Sequence, residues 1–201
     1  YIGAKAEQRG VIQGRMVVQA WQEEPERWDK NGDGILQYVL LEGEPGHQDA
    51  LLRTEYAAKG MTAEGLSAQK LAGDTANWNR GQAMSKMSLW LDTYGEQIEA
   101  VISNNDDMAL GAIDAFLERE VEVPLVVGVD ATQQALEAIQ EGTLYGTVHN
   151  DAKGIAQALL ELCLVYSGTL DASQAPALEK EHYLWFSYEG ITAAQLDDWQ
   201  E

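Results

Sequence analysis

The chain of 201 residues predicts an α/β fold, a three-layer αβα arrangement around a parallel sheet, on three observations. Apolar, β-branched runs alternate with helical patterns along most of the length. Nearly every run ends in a polar segment built from Asp, Asn, Gly or His. Hydrophobic residues make up 45%, enough to fill a packed core. Strands alternating with helices imply βαβ crossovers, and hence parallel strands covered on both faces.

In chain order, a helix is expected from about Lys5 to Trp21. Strands are expected at Ile35–Leu41, Ile98–Ser103, Val123–Val129 and Leu144–Val148, with a last one near Tyr183–Tyr188. Ala83, Met87, Trp90 and Leu91 mark one amphipathic helix face. Met108, Ala112, Ala115 and Phe116 mark a second, and Ile155, Leu159, Leu162 and Tyr166 a third. Ser167–Ala177 reads as a loop. The single cysteine, Cys163, forms no internal disulfide; among Leu160, Leu162 and Leu164 it is expected to be a buried, inert thiol.

Charge and hydropathy exclude several function classes. Thirteen Lys and Arg against 33 Asp and Glu give a net charge of −20, which repels phosphate backbones and anionic lipid, so no nucleic-acid partner is expected. No apolar run approaches the roughly 20 residues that cross a bilayer; Ile155–Val165 is broken by Gln157 and Glu161. No signal peptide is present, and the chain is expected to begin partway through a longer protein.

Function is most legible in the polar segments directly after the strands. Leu41 leads into Glu42–Asp49, Ser103 into Asn104, Asn105 and Asp106, Val129 into Asp130, and Val148 into His149, Asn150 and Asp151. In an open parallel sheet these carboxyl ends share one edge, where ligands bind. Carboxylates, amides, a histidine and an arginine gather there without a glycine-rich phosphate loop. Such a rim suits a polyhydroxylated neutral ligand.

Trp28-Asp29-Lys30-Asn31-Gly32-Asp33-Gly34-Ile35-Leu36-Gln37 matches the first half of an EF-hand loop. Oxygen side chains fall at positions 1, 3, 5 and 9, glycine at 6, and the Ile35 carbonyl at 7. Position 12 is Leu40, which cannot ligate, so the missing carboxylate must come from elsewhere; Glu99 is the candidate. A polar turn in which Asp and Asn bond their own backbone is the plainer reading of the same residues.

These segments resemble the periplasmic galactose/glucose-binding proteins of bacterial sugar transport, a type I solute-binding family. The resemblance runs over nearly the whole chain, through Tyr1-Ile-Gly, the loop Trp28–Gln37, Leu40–His47, Thr75–Trp78, Ile102–Asp106 with Met108-Ala, Gly128–Asp130 and Gly146–Asp151. It implies a calcium site with side-chain ligands Asp29, Asn31, Asp33, Gln37 and Glu99 and the carbonyl of Ile35. It implies sugar contacts from His47, Asp49, Arg53, Trp78, Asn105, Asp130 and Asn150. Each has a blander reading. Asp49 and Arg53 are spaced as a helical ion pair. Asn105, Asp130 and Asn150 are placed as helix N-caps. Trp78 is either core or, flanked by Asn77, Asn79 and Arg80, an exposed ring able to stack on a sugar.

The family has two lobes, and the resemblance assigns residues 1–150 to the second lobe, 151–182 to the first and 183–201 to a return into the second, leaving an incomplete two-lobe fold. The Ile155–Tyr166 helix face then lacks its sheet and is expected to meet a separate first-lobe fragment or a second copy of the chain. The implied function is a non-catalytic hexose receptor of an uptake system, periplasmic or lipid-anchored outside the cell, with a membrane sugar transporter and a chemoreceptor as partners. A sugar-sensing effector domain of a transcriptional regulator shares the fold, but a calcium loop has little use in a low-calcium cytoplasm. An enzyme using His47, Asp49 and Asp130 lacks a nucleophile–base pair. The residues do not separate galactose from glucose.

Overall fold

The computed structural model describes residues 1–171, 173, 175–178, 182–196 and 199. They form two compact units: Tyr1–Lys5 with Asn150–Tyr188, and Ala6–His149 with the segment from Glu189 onward. The chain therefore passes between the units three times. The sequence divides the chain at 150/151 and 182/183 by family resemblance. In the structure Tyr1–Lys5 and Tyr183–Tyr188 group with the smaller unit, because β1 (Ile2–Gly3) pairs in parallel with β7 (Leu184–Trp185).

The larger unit opens with α1 (Ala6–Glu23) and the short α2 (Pro25–Trp28). Then strands and helices alternate: β2 (Leu36–Glu42), α3 (Gln48–Ala63), β3 (Ala68–Thr75), α4 (Arg80–Tyr94), β4 (Ala100–Ser103), α5 (Asp106–Glu118), β5 (Leu125–Val127), α6 (Gln133–Gln140) and β6 (Gly146–His149). After the smaller unit's α7 (Ala152–Tyr166) and β7, the chain returns as β8 (Glu189–Thr192) and α8 (Ala193–Leu196). The sheet order is β3-β2-β4-β5-β6-β8, parallel throughout except for β8, which runs antiparallel to β6.

Several strands depart from expectation, β1 among them. β3 (AQKLAGDT) lacks the periodic pattern of a strand because it lies at the sheet edge and has few large apolar residues. The strand expected at 183–188 is only the two-residue β7 of the smaller unit, and β8, in the larger sheet, begins after it at Glu189.

The central strands are buried on both faces, as their unbroken apolar runs require: every residue of β4 and β5 is buried, and in β2 all but Glu42. Val39, Leu41, Val101 and Val126 pack with α4, α5 and α6 around Met87, Met108 and Phe116. Between α1 and α3 backbone also meets backbone. A Cβ added at Gly10 would lie 2.6 Å from the Arg53 carbonyl oxygen, and one at Gly14 would lie 2.5 Å from that of Ala57. Only bare backbone lets these helices touch.

In the smaller unit the apolar stripe of α7 is only partly uncovered: Leu159 and Tyr166 are exposed, whereas Leu162 is buried. Cys163 corrects the sequence-based expectation of a buried thiol. It is exposed, because it lies off the buried side of the helix marked by Ala158 and Leu162.

Gly14→Ala tests the helix contact. Alanine in an open helix interior stabilises by about 1 kcal/mol over glycine. Here the methyl meets backbone, so urea denaturation should instead show destabilisation of about 1–3 kcal/mol.

Candidate functional site

The strand order places a crevice before any side chain is considered. From β2 the chain adds β3 on one side and then β4 on the other, so the crossovers leave in opposite directions. At such a switch point the loops beyond the strand carboxyl ends part and open a binding crevice. The loop 43–47 leaves β2 there, and Asn104 and Asn105 come directly after β4.

Asp49 and Arg53 sit one turn apart on α3, and the crevice uses both. Asp49 Oδ2 accepts from Arg53 Nη2 at 3.3 Å and from Arg9 Nη1 of α1 at 2.9 Å. Arg53 Nη1 donates to the Asn104 carbonyl and lies 3.9 Å from Asp130 Oδ1. The guanidiniums are sunk, with side chains 10% (Arg9) and 7% (Arg53) exposed, while Asp49 and Asp130 keep 35% and 36%. Cations below and carboxylates above present acceptor oxygens to a ligand. Burial pushes the Asp130 carboxyl up to about 6; the Arg9 charge opposes this, and Asp107 and Asp49 add to it.

Two further predicted residues stand beside this pair. His47 caps α3, its Nδ1 accepting from the Asp49 amide at 3.2 Å. Its ring meets Trp78 edge-on at 5.3 Å, and the Arg53 guanidinium lies 5.5 Å from the Trp78 ring centre. Trp78 is half-buried rather than fully exposed, and it lies so close over Gly43 that a Cβ there would be 2.1 Å from the indole. Asn77 and Trp78 both have positive φ (51° and 61°), a strained turn that aims the ring.

The capping alternative divides. Asn105 does cap α5, its Oδ1 accepting from the Met108 amide at 3.0 Å. Asp130 caps nothing, since Thr132 caps α6. Asp151, not Asn150, caps α7; Asn150 belongs to the smaller unit, where its carbonyl accepts from Ala152. His47, Asp49, Arg53, Trp78, Asn105 and Asp130 all lie in the larger unit.

Several residues of the site were not singled out by sequence. Gln13 of α1 is fully buried and donates from Nε2 to the Ser103 carbonyl (2.7 Å) and the Gly128 carbonyl (3.1 Å), pinning the ends of two strands. Arg9 lies one turn before it. Asp106, completely buried, accepts from the Thr147 hydroxyl at 2.6 Å and the Thr132 amide at 2.8 Å. Thr147 in turn accepts from the Ala131 amide. This brace holds Asp130 and Ala131 at φ of 118° and 53°, values disfavoured for side-chain-bearing residues. Polar residues within otherwise buried stretches were the available signal. Their pairing lay in tertiary structure.

At the other predicted site, Asp29, Asn31, Asp33, Gln37 and Glu99 share one hydrogen-bonded web. Asp29 accepts from the amides of Asp33 and Gly34, and Asn31 Nδ2 donates to Asp33 and Gln37. Glu99, 1% exposed, accepts from the amides of Lys30 and Gln37 at 2.8 and 2.9 Å. Its carboxyl is raised by burial first and by the Asp29 charge, and no basic side chain bonds it among the described residues. A buried carboxylate facing further carboxylates fits a divalent cation chemically. Among the described residues, however, no three His, Cys, Asp or Glu side chains converge as a metal cluster. The remaining oxygens would be those of Asn31, Gln37 and the Ile35 carbonyl.

The periplasmic binding protein domain model matches residues 1–168, and the chain belongs to that family. It is 36% identical over 98% of its length to the D-galactose/methyl-galactoside binding periplasmic protein MglB of Haemophilus influenzae, spanning 60% of that protein. It is 33% identical over 84% of its length to a putative rhizopine-binding protein of Rhizobium meliloti, spanning 52% of it. Among solved structures it matches an ABC transporter solute binding protein from Bacillus halodurans with bound myo-inositol, at TM-score 0.79 and 29% identity, covering 98% of this chain and 61% of that one. The chain thus spans about 60% or less of these relatives. Among the described residues no helix is long and apolar enough to cross a membrane.

The Asp106 brace yields a pH test. Burial raises this carboxyl from 3.8 to about 7, so across that window the folded chain holds a proton the unfolded chain has released. Its contribution to stability therefore falls as pH rises through the window. Asp106→Asn, which removes the titrating group but also one of the two acceptor oxygens of the brace, should lower Tm at pH 4 and show a flatter dependence of Tm on pH between pH 4 and pH 7 by thermal melts.

Proposed function

We propose that this chain is the larger part of a non-catalytic receptor that binds a neutral hexose outside the cytoplasmic membrane and delivers it to an ABC-type transporter. One observation carries the reading: at the switch point of the sheet, Asp49 and Asp130 stand over buried guanidiniums beside the ring of Trp78. Paired hydroxyls match carboxylates held by arginine, and the C–H face of a pyranose matches an indole. His47 and Asn105 add polar atoms at the same rim. Asn150, in the smaller unit, is proposed as a further sugar contact on the family resemblance alone. The galactose-binding and inositol-bound relatives support a cyclic polyol as the ligand class.

Nothing in this arrangement calls for chemistry. Asp130 and Asp49 are held by arginines rather than set beside a nucleophile, so recognition is the whole task. The loop of Asp29, Asn31, Asp33, Ile35 and Gln37 with Glu99 is proposed as a calcium site that steadies the β2 entry and the strand start at Glu99. Bound calcium would offset two of the three negative charges of Glu99, Asp29 and Asp33.

Because the chain spans about 60% of its relatives, calorimetry at high chain concentration should show weak exothermic binding of D-galactose or D-glucose, weakened about 10-fold or more by Asp49→Asn, which removes the charge-assisted pairing. Heat flow for neither sugar in wild type would sink the hexose reading. Separately, adding calcium should raise Tm, and EDTA should reverse the gain; Glu99→Gln should abolish most of it. Melts indifferent to both calcium and chelator would remove the metal assignment.

A further inference from the structure

We infer that Arg9 is a specificity-determining residue: together with Arg53 it balances Asp49 and Asp130, making the inner rim electroneutral so that it accepts an uncharged polyol and disfavours an amino sugar. The inference rests on the hexose reading of the rim and adds to it a rule for ligand charge.

Arg53 alone cannot balance both carboxylates. It already donates to the Asn104 carbonyl, contacts Asp49 at 3.3 Å and lies 3.9 Å from Asp130. Arg9 brings a second cation from a different helix, at 2.9 Å from Asp49 Oδ2. Its place is set by backbone rather than side-chain reach, because the next residue, Gly10, rests against the carbonyl of Arg53 itself. With side chains 10% and 7% exposed, both guanidiniums are withdrawn from solvent screening. Two cations then stand against two anions.

The groups facing Asp130 come from every neighbouring element. Arg9 lies on α1, and Arg53 and Asp49 on α3. Asp106 and Asp107 open α5, and His149 of β6 is Asp130's bridge partner. Burial, Asp107 and Asp49 all favour the protonated form, and Arg9 is the largest opposing influence. Without Arg9 the rim carries an extra negative charge, Asp130 protonates more readily, and Asp49 has a lone partner. An ammonium group on the ligand would then find an acceptor that Arg9 otherwise occupies.

The test compares wild type, Arg9→Gln and Arg9→Lys by calorimetry with D-galactose, D-galactosamine and D-galacturonate from pH 5 to 8, with carbon-13 NMR titration of Asp130 in the free protein. Wild type should prefer D-galactose over both charged sugars. Arg9→Gln should bind D-galactose about 10-fold or more weaker, shift its preference towards D-galactosamine, and titrate Asp130 above about 6. Arg9→Lys, which keeps the charge but not the fork, should restore the Asp130 midpoint and only part of the affinity; native chemical-shift dispersion in each variant's NMR spectrum shows that it folds. An unchanged sugar preference together with an unchanged Asp130 midpoint in Arg9→Gln would overturn the inference. If wild type binds none of the three sugars, the hexose reading fails, and the Asp130 midpoint alone then decides whether Arg9 balances the charge.

Discussion

The constraint on which the site depends is the contact of α1 with α3 through Gly10 and Gly14. Helices usually pack with axes 8–10 Å apart, spaced by their side chains. Here glycines remove that spacer, and the residues between and beside them are carried inward. Gln13 reaches the ends of β4 and the β5 loop, holding together two segments that border the crevice. Arg9 reaches the Asp49 carboxylate. A wider separation would leave the amide of Gln13 and the guanidinium of Arg9 short of their acceptors, and buried polar groups without partners are costly.

The electrostatics of the rim derive from that packing. The chain as a whole is strongly acidic, yet its candidate site is not an anionic hole. Two of its few arginines are buried beneath the carboxylates that face the crevice. Removing an arginine from water costs several kcal/mol unless it is paired and hydrogen-bonded. Arg53 is compensated by Asp49, Asp130 and the Asn104 carbonyl, and Arg9 by Asp49. The result is a polar surface already oriented, whose groups need little rearrangement to meet hydroxyls.

Much of this was legible in the sequence. Ile35–Leu41 and Ile98–Ser103 announce central strands because both faces are covered, and the Met108–Phe116 spacing announces a helix against them. The polar residues after each strand could be assigned to one edge from parallel topology alone, and His47, Asp49, Arg53, Trp78, Asn105 and Asp130 all lie in the unit so built. The hidden features depend on contacts far apart in the chain. Asp106 reads as one more acidic residue after a strand, and only Thr147, 41 residues on, shows that it is buried and braced. Arg9 reads as a surface residue of an amphipathic helix until the neighbouring glycines bring α3 against it. Cys163 is exposed although leucines flank it, since flanking leucines say nothing about which side of a helix faces inward.

β3 closes one margin of the six-stranded sheet with residues poorly suited to a strand: Gln69, Lys70, Gly73 and Asp74 are all exposed, and its pairing to β2 shifts register at Tyr38 and Val39. An unpaired border of backbone amides and carbonyls is a template onto which a foreign strand can zip. Charge, glycine and the local irregularity make this border a poor template. The weak pattern that conceals β3 from inspection thus serves as a guard against self-association into fibrils, a form of protection that a more recognisable Val- and Ile-rich margin would forfeit.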